Sequence, residues 1–183
     1  FATGMIVKAR NYRGFLDEIN TNTGLNFMLL SDDDIVKDVY NSAMVKIDAS
    51  KGYIINIGSY HTYFMKFNRR NVVDFNMIGY GYSNLTNSGM SFEEMVAAAK
   101  KEIKKLPLVK NFEEDVIIGC GAPFVDISRI AKKLTRYTID IDNNYLLEKA
   151  NLEKVTKFVG DLDAQKIKKI KGLGQDGVES VNG

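Results

Sequence analysis

One cysteine, one histidine and two prolines stand in 183 residues. The lone Cys120 excludes an internal disulfide and a thiolate zinc cage, and a reducing, cytoplasmic setting is the expectation. The lone His61 cannot build a histidine metal site. No Ser/His/Asp nucleophile pattern is legible, and the plain reading of His61 is an exposed or satisfied strand residue. No apolar run is long enough to span a bilayer, so no membrane is expected. No basic-then-apolar leader opens the chain, and it starts at Phe1 rather than Met, as a piece of a longer protein would. Neither sign of charge dominates. The 25 basic and 23 acidic side chains leave +2, too little to imply nucleic acid by itself. Internal repeats, low-complexity stretches and Walker or Rossmann glycine patterns are also missing.

What is present suits a folded domain. Apolar residues make up 45% and charged residues 26%, and the length predicts one domain. Asn11 to Asn20 reads as a helix ended by Thr23-Gly24, and Leu25 to Leu30 as a short strand. Ser31-Asp32-Asp33-Asp34 reads as a helix start, with Ser31 and Asp34 at reciprocal capping positions. Ile35, Val36, Val39, Ala43 and Met44 follow as its apolar stripe. Tyr53 to Ile57 is the apolar run of a central strand. Thr62 to Phe67 and Val72 to Ile78 complete a meander around Asn68-Arg69-Arg70-Asn71. Ser91 to Leu106 is predicted helical, with a Ser91/Glu94 capping box. Asp115 to Ile118 reads as a second buried strand, ended by Gly119-Cys120-Gly121, and Pro123 suits the first turn of the next helix. Asn151 to Val159 and Asp161 to Ile170 read as two closing helices. This order predicts an α/β layered domain with a mixed sheet.

Three features could carry chemistry. Strand-glycine units occur at Ile54 to Ser59 and at Ile117 to Gly121, where small residues after a strand let a backbone approach a phosphate. Their plain alternative is a tight turn. Asp32-Asp33-Asp34 could supply a base or hold a hard cation, or could simply complement a helix N-terminus. Residues 98–171 hold 16 Lys/Arg against 11 Asp/Glu, which is either a solvated face or an attraction for a polyanion.

The ordered set of these pieces resembles the exopolyphosphatase/guanosine pentaphosphate phosphohydrolase family of the actin-like ATPase superfamily. Phe1-Ala2-Thr3 with Ala9-Arg10-Asn11 is similar to the family's "ATxxxRxAxN", and Leu30 to Asp34 to "ISGxEEA". Ile55-Asn56-Ile57-Gly58-Ser59-Tyr60-His61-Thr62 is similar to "IDIGGGST". Ile118-Gly119-Cys120-Gly121 is similar to "IGVGGT", and Ile170 to Leu173 to "IPGL". The resemblance implies a ribonuclease H-like, actin-like lobe spanning residues 1–183, the second of two lobes flanking a cleft. Residues 1–50 would be the entry helices and strand, and 51–183 the core. It implies a cytoplasmic homodimer whose cleft takes polyphosphate or a guanosine nucleotide, usually with Mg²⁺, and in which water attacks a terminal phosphoryl group.

Carried over residue by residue, the resemblance makes Asp34 or Asp33 the catalytic base. It makes Gly58, Ser59, Thr62, Gly119 and Gly121 the phosphate contacts, and Asn56 the metal position. Several polar positions depart from the pattern. The entry arginine falls on Val7, and the catalytic glutamate, counted from Ser31 without a gap, falls on Ile35. The "IDIG" aspartate is Asn56, the second and third loop glycines are Ser59 and Tyr60, and the serine of "GST" is His61. The glutamate after that motif is Tyr63, and the end of the second loop is Ala122-Pro123. Apolar and turn positions are kept while charges and loop glycines are lost. The expectation is a retained fold with weakened or absent hydrolysis, or alternatively an active enzyme that uses Asp34 or Asp33.

Overall fold

Four strands form one mixed sheet in the order β3-β2-β1-β4: β1 Lys51–Ile57, β2 Thr62–Asn68, β3 Asn71–Ile78 and β4 Val116–Cys120. The computed structural model describes residues 1–2, 6–45, 47–110, 112, 116–138, 143–160, 162, 166, 169–170 and 181. Strands β1, β2 and β3 run antiparallel in sequence order, and β1 pairs with β4 in parallel from Gly52↔Val116 to Asn56↔Cys120. Strand β1 is therefore central, as its apolar run predicts. The Arg69-Arg70 turn has φ of 49° and 66°, the double positive φ by which a two-residue hairpin follows the strand twist.

Alternation along the strands sends two sets of side chains to opposite faces. On one face Ile54, Tyr63, Met65, Phe67 and Ile118 pack against Val36 and Tyr40 of α2 (Asp32–Met44). Ile54, Met65 and Phe67 lose all solvent contact, and each such burial contributes about 1.5–3 kcal/mol. On the other face Phe64, Ile78 and Leu106 form a smaller cluster with Ile55 and Ile103. A third cluster joins α6 (Ala122–Leu134) to α7 (Lys149–Gly160) through Ile130, Ala131, Val155 and Val159.

Local chemistry sets the helix ends. Helix α1 (Tyr12–Thr23) stops at Gly24, whose φ of 72° suits a residue without a Cβ. Both predicted capping boxes form, Ser31 with Asp34 at the start of α2 and Ser91 with Glu94 at the start of α4 (Phe92–Ile103).

Several expectations change. Leu25 to Leu30 is not a strand; a single parallel bridge joins Leu29 to Ala2. Helix α4 ends at Ile103 rather than Leu106, because a residue before a proline avoids the helical region. A short helix α5 (Pro107–Lys110) then begins at Pro107. Helix α3 (Tyr82–Thr86) has no counterpart in the sequence reading. Strand β4 runs through Gly119 and Cys120 instead of ending before them. It also lies at the sheet edge among the described residues, so Val116 and Ile117 are half exposed and Ile118 is buried. Thr3, Asp115, Lys171, Gly172, Leu173 and most of the stretch from Asp161 to Ile170 lie outside the described residues.

Candidate phosphate-loop site

The parallel pairing of β1 and β4 brings the two strand-glycine units to one end of the sheet. Gly121, with φ of 98°, sits so close to the end of β1 that a Cβ there would overlap the Ile57 carbonyl. Helix α6 begins at the next residue, with a glycine as its N-cap. Two loops at the C-terminal ends of parallel strands, one of them leading into a helix N-terminus, make a site of the kind that accepts anions.

Helix α3 orders the first loop. Tyr82 N–H donates to the Gly58 carbonyl at 3.0 Å, and Ser83 N–H to the Ser59 carbonyl at 2.9 Å. The Asn84 carboxamide donates to the Tyr60 carbonyl at 3.2 Å and to the Gly79 carbonyl at 2.7 Å, and accepts from Gly81 N–H at 2.7 Å. Three consecutive loop carbonyls thus face α3. In a trans peptide the N–H points opposite to the C=O. The amides of Ser59, Tyr60 and His61 therefore point away from α3, and none of them has a hydrogen-bond acceptor among the described residues. Gly81 permits this approach, since a Cβ there would stand 2.6 Å from the Ser59 carbonyl carbon.

The other predicted site residues divide. Gly58 closes the loop by donating its amide to the His61 carbonyl at 2.9 Å. The hydroxyl of Ser59 donates to the Tyr82 hydroxyl at 2.9 Å. Thr62 is buried and donates to the Tyr80 carbonyl at 2.8 Å, so its hydroxyl is turned onto the chain leading into α3. Gly119 is required by packing, because a Cβ there would enter the Phe124 ring. Asn56 lies beside Gly121, its side-chain oxygen 3.3 Å from where a Gly121 Cβ would stand. Asp33 is exposed. The Asp34 carboxylate accepts from Ser31 N–H at 3.0 Å and from the Ser31 hydroxyl at 2.6 Å, and these bonds hold its pKa below the usual carboxylate value. Ile35, at the ungapped glutamate position, is partly buried against the α2 core cluster.

Two side-chain pairings escaped the sequence reading, and of their members Lys8 was not singled out at all. Tyr63 donates its hydroxyl to Asp32 at 2.7 Å, and burial followed by that bond pushes the phenol pKa up. Lys8, in the 3-10 turn Ile6–Lys8, places its ammonium 2.9 Å from His61 Nε2. Burial first, then Lys8, lowers the His61 pKa, while Asp32 acts in the opposite sense. No local motif marks these pairs, because 31 and 53 residues separate their members. Burial also raises the pKa of the Cys120 thiol, which keeps it protonated and a poor nucleophile at neutral pH.

The donors present do not fit Mg²⁺. The metal position holds a neutral amide, Asp34 is engaged in its cap and Asp32 in Tyr63. No group of three or more His, Cys, Asp or Glu among the described residues could hold a metal ion.

A four-stranded mixed sheet with packed helices and two glycine loops at one end matches the lobe fold of solved Ppx/GppA structures. Solved structures give this fold a closer context. The Aquifex aeolicus member of the Ppx/GppA protein family superposes with a TM-score of 0.78 at 17% identity, over 99% of this chain and 61% of that one. An exopolyphosphatase from Cytophaga hutchinsonii superposes with a TM-score of 0.69 at 14% identity, over 98% and 62%. An exopolyphosphatase-like protein gives a TM-score of 0.79 at 14% identity, over 99% and 62%. This chain therefore has the fold of Ppx/GppA structures and spans 61–62% of their length. No family model and no curated protein matches the sequence. Among the described residues no helix is long and apolar enough to cross a membrane.

Proposed function

We propose that this chain is the second lobe of an exopolyphosphatase-like protein that binds polyphosphate or a guanosine nucleotide, with hydrolysis weakened or absent. The observation that carries the binding half is the loop Gly58 to His61. Its carbonyls are committed to α3, which leaves three successive amides to receive phosphate oxygens. The fold shared with the Ppx/GppA structures supports the ligand class. The weakened chemistry rests on the carboxylates. Asp34 serves its own helix cap, and a side chain at position 35 lies against the core, where an apolar residue packs and a glutamate would be costly. A cytoplasmic homodimer belongs to the same proposal.

The test uses the full-length protein, long-chain polyphosphate and guanosine pentaphosphate. Phosphate release with Mg²⁺ is measured beside a binding titration at two salt concentrations. Salt-dependent binding without release is expected. Release that disappears in the Asp33→Ala/Asp34→Ala variant would overturn the reading in favour of an active hydrolase. Absence of both binding and release would overturn the ligand assignment.

A further inference from the structure

Lys8 of the entry turn, His61 of the first loop, Asp32 of α2 and Tyr63 of β2 come together at that loop. With Lys8 charged, its ammonium can only donate to His61 Nε2. The imidazole must then be neutral, with its proton on Nδ1. A proton on Nε2 would set two donors face to face at 2.9 Å and break the contact. A bridging acceptor would relieve that conflict, and an oxyanion can accept from both nitrogens at once. Lys8 is exposed and can withdraw to admit one. The amide of His61 is one of the three N–H groups that face away from α3.

We propose that Lys8 and His61 form a proton-coupled clamp for a terminal phosphoryl group, in which the imidazole takes up a proton as the anion enters between the two nitrogens. This rests on the phosphate-binding reading above and deepens it. The proton on Nε2 comes from solvent, and with the Lys8 ammonium it sets two positive charges against the oxyanion. The groups facing His61 are Lys8 from the entry turn and Asp32 from the start of α2, with Tyr63 of β2 holding Asp32 by its hydroxyl. Asp32 favours the imidazolium, and Lys8 opposes it until an anion screens the pair. This side-chain charge stands where the donors do not suit Mg²⁺.

The experiment is calorimetric titration of the full-length protein with inorganic tripolyphosphate in EDTA, near pH 6.5. Two buffers of different ionisation enthalpy report the protons taken up. His61→Gln, similar in volume and unable to titrate, subtracts the ligand's own proton changes. Wild type should take up more protons than His61→Gln, by about one proton at most. Lys8→Gln should weaken binding by about 5- to 20-fold. Tight binding with equal proton uptake in wild type and His61→Gln overturns the clamp and leaves the loop assignment standing. No binding by wild type overturns both. Thermal unfolding of each variant establishes that it is folded, and Lys8→Arg, which keeps the charge, should recover most of the lost affinity.

Discussion

Removing the Asn84 side chain should release the first loop from α3. Asn84→Ala deletes three hydrogen bonds, from Gly81 N–H at 2.7 Å, to the Gly79 carbonyl at 2.7 Å and to the Tyr60 carbonyl at 3.2 Å. A net hydrogen bond contributes about 0.5–1.5 kcal/mol, which sets an upper limit of about 4.5 kcal/mol for three. Asn84 is only half buried, so water can reach the freed groups, and a loss of about 1–2.5 kcal/mol is expected. Urea unfolding measures it, as a lower midpoint with an unchanged slope. The functional readout is tripolyphosphate affinity, which should fall about tenfold as the Tyr60 peptide loses its fixed direction. Asn84→Asp sharpens the test. It keeps an acceptor for Gly81 but sets a carboxylate oxygen against two carbonyls, so it should recover little of either loss. A stability change below about 0.5 kcal/mol, together with unchanged affinity, would refute the idea that α3 holds the loop open.

Gly121→Ala should destabilise the protein by about 1–3 kcal/mol in urea unfolding, because alanine must adopt a φ of 98° and its Cβ meets the Ile57 carbonyl. Wild-type stability there would mean that the second loop does not lie against β1. The His61 pKa is lowered in the fold from the ordinary 6.5, chiefly by burial, so below that pH the unfolded chain binds a proton that the native state resists. Stability should therefore fall as pH drops from 6.5 toward the native pKa, and His61→Gln should flatten that part of the profile in unfolding scans.

Part of this molecule is written locally. The central strand follows from the apolar run of β1, the two capped helices from Ser31/Asp34 and Ser91/Glu94, and the meander from alternation around Asn68 to Asn71. Each depends on residues a few positions apart, which is the range over which capping and periodicity act. The two strand-glycine units were legible for the same reason: their glycines stand at or just after the ends of β1 and β4. Helix α3 was not, because five residues carry too short a period to read, and its role lies in bonds to a loop 24 residues earlier. The acidic run was visible, but not its use. The turn of Asp34 back to Ser31 is local, but only packing decided that Asp32 would meet Tyr63, and only the closing of the entry turn onto the sheet set Lys8 beside His61. Strand and helix identity arise from neighbours along the chain. The chemistry of the loops arises from groups that the sheet brings together across it.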